Sequence, residues 1–194
     1  MPKGYTTRAE VERYTLTGIE EYFRPQVEKW IASVEDYIEK STGRVFIADQ
    51  ESSWRKFDVE DPRKKEIWFD ECVELEELRV NNGDIPEDSY LVYPANTIPK
   101  FRIKIKKRYF PQGDQNVEIR ARWGFSEEAP ESIRLATTVL VAGIINYGSQ
   151  EVKEKTKQAE SIGPYSVTYG DERSWSDFEQ VKQIIEKYRK KIPA

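Results

Sequence analysis

Histidine is absent from all 194 residues, which removes the commonest general base and metal ligand together with every Ser–His and Cys–His nucleophile arrangement. Carboxylates are left to carry any acid–base or metal chemistry. They are dense from Asp58 to Glu77, where Asp70, Glu71, Glu74, Glu76 and Glu77 crowd one stretch, a composition that would suit a carboxylate-dependent metal nuclease. On a strand, however, such residues leave both faces, and their spacing matches neither a calcium loop nor a two-metal site. A solvated acidic edge that discourages unwanted strand pairing is the favoured reading. Lys100, Arg102, Lys104, Lys106, Lys107 and Arg108, with Arg120 and Arg122, form a basic ribbon able to touch phosphates. No stacking aromatics interleave with these cations, and the whole chain carries a formal net charge of −4, so solvent or protein is favoured over DNA as what the ribbon meets. The scattered glycines form neither GxxxxGK[ST] nor GxGxxG, so no nucleotide cradle is expected. No catalytic residue, metal-ligand set or cofactor is expected, and the chain reads as a protein that is not an enzyme.

The single cysteine, Cys72, excludes an internal disulfide and a cysteine zinc cage, and is expected as a buried thiol. Five Trp, eleven Tyr and eight Phe supply a real core despite a charged fraction of 34%. Residues 1–10 lack the apolar centre of a signal peptide, and no run approaches the roughly 18 apolar residues of a membrane span. A soluble chain without an export signal is expected.

The elements that would position these residues follow from period and punctuation. Thr7 and Glu10 have capping-box spacing ahead of a short helix carrying Val11 and Tyr14 inward. Pro25 suits the first turn of a second helix whose Val27, Trp30, Ile31, Val34, Tyr37 and Ile38 share one face, and Gly43 stops it. Short alternating runs then predict strands at 44–48, 54–59, 66–69, 73–80 and 90–93. Phe101, Ile103 and Ile105 alternate with basic residues, as do Val117, Ile119, Ala121 and Trp123 with polar ones, which predicts a hairpin turned by residues 111–116. Pro130 opens a long, strongly apolar and central helix with Ile133, Ala136, Leu140, Ile144 and Tyr147 on one face. Ser176 and Glu179 have the spacing of a second capping box, ahead of a last helix burying Phe178, Val181, Ile184, Ile185 and Tyr188. The predicted class is α+β, a mainly helical bundle of about four helices with a β-rich insertion between the second and third. Residues 1–43 would hold the N-terminal helices, 44–125 the insertion, and 126–194 the C-terminal helices with an extended loop at about 149–175.

Four places in order resemble the head–tail adaptor (head completion, or head–tail connector) proteins of tailed phages. They are Tyr5-Thr6-Thr7 with Glu10-Val11, leading to Thr42-Gly43-Arg44 and Phe46; Trp123-Gly124-Phe125 with Pro130, Ile133 and Ala136; Glu160-Ser161-Ile162-Gly163 with Tyr165-Ser166-Val167-Thr168-Tyr169; and the terminal helix from Phe178 to Ile192, with Tyr188-Arg189-Lys190. The resemblance covers both ends of the chain and little of 49–101. It implies a virion neck protein assembled in the host cytoplasm as a dodecameric ring on the portal protein. DNA would pass through the lumen without sequence-specific binding, a stopper or tail-completion protein would sit below, and no membrane would be involved. It further implies that Ile162, Tyr165, Val167 and Tyr169 meet a neighbouring subunit, and that Tyr188, Arg189, Lys190 and Lys191 reach the portal. The alternatives are another neck or tail-completion subunit, the metal nuclease, and a nucleic-acid binder using the basic ribbon.

Overall fold

The computed structural model describes residues 2–15, 24–149, 158–162, 165–169 and 172–190; at 24, 146–149, 158–162, 165–169 and 172–177 it describes the backbone. The chain forms two compact units, one of residues 1–44 with 129–194, the other of residues 45–128.

The first unit is helical. Helix α1 (Arg8–Thr15) starts at the predicted capping box: the Glu10 N–H donates to Thr7 Oγ1 at 3.2 Å, and the Thr7 N–H donates to Glu10 Oε2 at 2.8 Å. Helix α2 (Arg24–Thr42) buries Val27, Ile31, Val34 and Ile38, and ends at Gly43, whose φ of +69° suits a residue without Cβ. Helix α3 (Glu131–Ser149) packs against α1, α2 and α4 (Glu172–Tyr188), so it is the central helix that its apolar breadth predicted. Among the predicted residues of α4, Phe178, Val181 and Ile185 are buried, while Ile184 and Tyr188 are half-buried. The capping box expected at Ser176 and Glu179 does not start this helix. Its first turn lies at Glu172, which leaves Ser176 inside the helix, so Ser-x-x-Glu spacing alone did not locate the start.

A buried acid holds the N-terminal segment of this unit. Glu35, on α2, is 0% exposed and accepts the backbone N–H groups of Lys3, Gly4 (3.0 Å) and Tyr5 (2.8 Å). One turn on, Glu39 accepts the Tyr5 hydroxyl and the Lys3 ammonium. Residues 3–5 are not in a helix or sheet, so this carboxylate supplies the partners that a ladder would otherwise give.

The second unit is a six-stranded antiparallel sheet, made of β1 (Ser53–Val59), β2 (Glu66–Val80), β3 (Gly83–Asp84), β4 (Tyr90–Tyr93), β5 (Lys100–Ile105) and β6 (Gly113–Trp123). The order is β1-β6-β2-β5-β4, with β3 paired to β2 as a short hairpin. Its own core includes Ile67, Phe69, Leu78, Ile103, Ile105, Val117, Ile119 and Trp123. This overturns the mainly helical bundle with a β-rich insertion. Strands make up 32% of the described residues, the helices lie toward the two ends of the chain, and the sheet occupies its middle. The cause is visible in the alternation itself, because three long strands each present an inward apolar row, enough for an independent core.

The predicted hairpin is also corrected. Strands β5 and β6 exist where alternation placed them, but β2 lies between them and pairs with both. Its first half meets β5, as in Ile67 opposite Ile103; its second half meets β6, as in Leu78 opposite Ile119. The expected strands 66–69 and 73–80 are thus one strand of fifteen residues, crossed by register shifts between Cys72 and Glu74 and between Leu75 and Glu77. Segment 44–48 forms no strand; its Ile47 makes a single parallel bridge with Ser126. Gly124, at φ +147°, sits so close to this segment that a Cβ would fall 2.4 Å from the Ala48 Cα.

Residues 158–169, within the stretch read as an extended loop, include β7 (Gln158–Ile162) and β8 (Tyr165–Tyr169), a two-stranded antiparallel ladder with Ile162 opposite Tyr165 and Gln158 opposite Tyr169. The backbone of β8 lies beside α3 and α4.

Candidate functional site

The acids singled out as possible chemistry are on the central strand of the sheet, not on an edge, and they face the basic ribbon. Arg120 contacts Glu76 at 3.2 Å and Glu77 at 2.9 Å, because the register shift in β2 sets two successive residues against one. Arg102 and Lys104 share Glu66 at 2.8 and 3.2 Å, Arg55 meets Asp70 at 2.8 Å, and Lys56 meets Glu118 at 3.3 Å. Arg122 lies opposite Glu74 and binds Glu127 at 2.7 Å. Exposed pairs of this kind are worth about 0–1 kcal/mol each, so the lattice contributes modestly to stability. Its larger effect is on the local field, since Arg55, Lys56, Arg102, Lys104, Arg120 and Arg122 each sit against a carboxylate. Among the described residues no group of three His, Cys, Asp or Glu side chains is placed to hold a metal ion.

Sequence reasoning missed the aromatics beside these cations. Trp68 is 54% exposed and stacks on Phe101 with ring centroids 5.5 Å apart and planes 12° from parallel. The Arg102 guanidinium lies 5.5 Å from the Trp68 ring centroid and 4.6 Å from that of Tyr93 on the edge strand β4. Its Nε is buried without a hydrogen-bond partner, so the rings and Glu66 hold the group. Trp68 and Tyr93 come from β2 and β4, flanking the cation across strands, and were invisible to a reading along β5 alone. The available signal was Trp68 itself, an outward position between the inward Ile67 and Phe69.

The residues assigned by resemblance fall in two places. Ile162, Tyr165, Val167 and Tyr169 lie on the β7–β8 ladder, where the backbone register is described and the side chains lie outside the described residues. Tyr188, Arg189 and Lys190 close α4 against the end of α2: the Lys190 N–H donates to Thr42 O at 2.7 Å, Arg189 Nε to Ser41 O at 3.4 Å, and Arg44 Nε to Tyr188 O. Lys191 lies outside the described residues. The basic end of α4 therefore supplies donors to the last carbonyls of α2, a structural task the sequence did not reveal. Arg189 is exposed and pairs with Glu186 at 3.0 Å.

One ion pair in the helical unit is pH-sensitive. Burial opposes the charge on Glu10, but Arg134 on α3 and the Thr7 N–H and hydroxyl outweigh it and hold the carboxyl below its ordinary value. A group lowered in the folded state adds stability above its unfolded value, and loses it as pH falls through the folded one. Glu10→Gln is accordingly expected to lower the melting temperature at neutral pH and to match the parent in strong acid. An equal deficit at both extremes, read by circular dichroism, would mean that packing rather than charge is responsible.

No protein-family model matches the chain, and no curated protein matches it. Among solved structures, a chain in the neck of an empty GTA particle, computed with C6 symmetry, superposes over 96% of this chain and 90% of its own length, with a TM-score of 0.55 and 15% identity. The two chains share a fold. A chain in the neck of the native GTA particle, computed with C12 symmetry, agrees at a TM-score of 0.50 and 15% identity, over 91% of this chain and 88% of that one. The neck fold thus extends through the middle sheet that the resemblance to head–tail adaptors left uncovered. Among the described residues, no helix is long and apolar enough to cross a membrane.

Proposed function

We propose that this chain is a structural subunit of a tailed-phage neck, a head–tail adaptor that assembles as a ring under the portal and has no catalytic role. The observation carrying the reading is the agreement of two independent lines: four ordered motifs that resemble adaptors, and a fold shared end to end with chains of symmetric particle necks. A ring needs two different faces of each subunit to meet in a closing, heterologous contact. The ladder bearing Ile162, Tyr165, Val167 and Tyr169 is one such face in this reading, and the end of α4 from Tyr188 to Lys191 is the portal contact. DNA would pass through the lumen without sequence readout, and Arg102, Lys104 and Arg120 are each already engaged by a carboxylate. A stopper or tail-completion protein would dock below, with assembly in the host cytoplasm.

The test is to mix the purified chain with portal rings and locate it by cryo-electron microscopy. A ring of copies under the portal is the expected result; a position elsewhere in the neck, or no binding, would remove the adaptor role. Because Lys190 holds the α2 end through its backbone, docking is better tested by charge reversal than by truncation. Lys190→Glu with Lys191→Glu should weaken portal binding by about tenfold and flatten its salt response, with the melting temperature unchanged. Unaltered affinity would separate the C-terminal charges from docking.

A further inference from the structure

Natural sheets usually guard their edges with charge, because an unpaired row of backbone donors and acceptors invites another strand. The open edges described in this chain are guarded unequally. Strand β1 carries Arg55, Lys56 and Asp58, β7 carries Glu160, and β3 carries Asp84. Two strands have no charged residue at all: β4, Tyr90-Leu91-Val92-Tyr93, and β8, Tyr165-Ser166-Val167-Thr168-Tyr169. Among the described strands, β4 terminates the six-stranded sheet and pairs only with β5, and β8 pairs only with β7.

The surroundings of β4 suit a strand partner. Leu91 is 42% exposed on the edge, and Tyr93 borders the Arg102–Trp68–Phe101 stack. Trp, Tyr and Arg are the residues most often found to anchor protein contacts. An added strand would draw its affinity from main-chain hydrogen bonds along β4, and its specificity from alternate side chains meeting that cluster. The β7–β8 ladder, for its part, is only two strands wide, a size that is marginal on its own.

We propose that β4 is the acceptor edge and β8 the donor strand of a contact between two copies of this chain, so that the ladder of one copy extends the sheet of the next. Lengths agree, at four and five residues, and two uncharged strands bring no buried charge into the new ladder. Donor and acceptor are different surfaces, so the contact is head to tail, as ring closure demands. The proposal rests on the ring reading above and names the surfaces that would close it.

The experiment mixes full-length chains that each carry one added cysteine at an exposed position, so that a link between the added thiols joins two copies. Cys72 stays in place, since it is 0% exposed and burial pushes its thiol up to about 12. Rings assembled from Leu91→Cys chains with either Ser166→Cys or Val167→Cys chains are oxidised mildly. Successive residues of a strand leave opposite faces, so Leu91→Cys should link to one of the two partners and not to the other. In parallel, Leu91→Lys should abolish rings while the melting temperature of the subunit stays that of the parent. Rings that survive Leu91→Lys, or that give no link from position 91, would overturn this pairing and leave the ring reading intact. A chain that stays monomeric both alone and on portal rings would overturn the ring reading and the pairing with it.

Discussion

Glu35→Ala is expected to destabilise the helical unit by about 2–4 kcal/mol, because three backbone donors, that of Tyr5 buried and those of Lys3 and Gly4 part-buried, lose the charged acceptor they share. The individual losses are not additive, since residues 3–5 would peel away from α2 together, taking the Tyr5 and Lys3 contacts with Glu39. Glu35→Gln keeps one acceptor oxygen but turns an amide donor toward N–H groups that need acceptors, so it should recover less than half of the loss. Denaturant unfolding followed by far-ultraviolet circular dichroism gives the comparison. A loss below about 1 kcal/mol for the alanine variant would mean that water replaces the carboxylate freely, and that residues 3–5 are not fixed by it.

Gly124→Ala should damage the sheet unit as severely. The new Cβ would lie 2.4 Å from the Ala48 Cα, 2.7 Å from its nitrogen and 3.0 Å from the Ile47 carbonyl carbon, all of them backbone atoms that cannot rotate away. A φ of +147° adds strain for any residue with a side chain. The expected cost is about 2–6 kcal/mol, from about 1–3 for the backbone strain and about 1–3 for the overlap. The neighbouring Trp123 is buried and offers a fluorescence probe of this unit. Gly83→Ala is the control: its Cβ would meet only the Val80 carbonyl at 3.4 Å, and should change stability by less than about 1 kcal/mol. Equal effects at the two glycines would refute the close-approach account of Gly124.

These two residues also mark what the sequence does and does not disclose. Val27, Ile31, Val34 and Ile38 declare a buried helical face by spacing alone, and Thr7 with Glu10 declares a helix start, because both patterns are local. Strand identities at β4, β5 and β6 are equally legible from alternation. The order of the sheet is not, since placing β2 between β5 and β6 depends on pairs such as Cys72 with Trp123, far apart in the chain. A hairpin was the nearest local solution, and the long strand with three register shifts displaced it. Glu35 gives no sign of its role: it is one acid on a helix, and its partners are backbone groups some thirty residues away. Gly124 belongs to a motif that suggested kinship, yet the reason for a glycine there is the backbone of residues 47 and 48. At the candidate contacts, β7 and β8 fall within the stretch read as an extended loop, because the polar composition before Ile162 hid β7 and with it the ladder.

The two units differ in how they are threaded, and that governs the order in which a growing chain can complete them. The sheet is one continuous stretch, 45–128, whose ends lie side by side where Phe125 and Ser126 donate to Val45 and Phe46. It can close as soon as residue 128 has left the ribosome. The helical unit cannot, because α1 and α2 emerge first and wait for α3: Glu10 meets Arg134 across 124 residues, and Thr6 meets Thr138 across 132. At about 5–20 residues per second this separation is roughly 6–25 s of synthesis, during which Val11, Val27 and Ile31 stay without their partners. The nascent chain is thus a finished sheet trailing an unfinished helical pair, and the apolar faces of α1 and α2 are what a chaperone would meet on it.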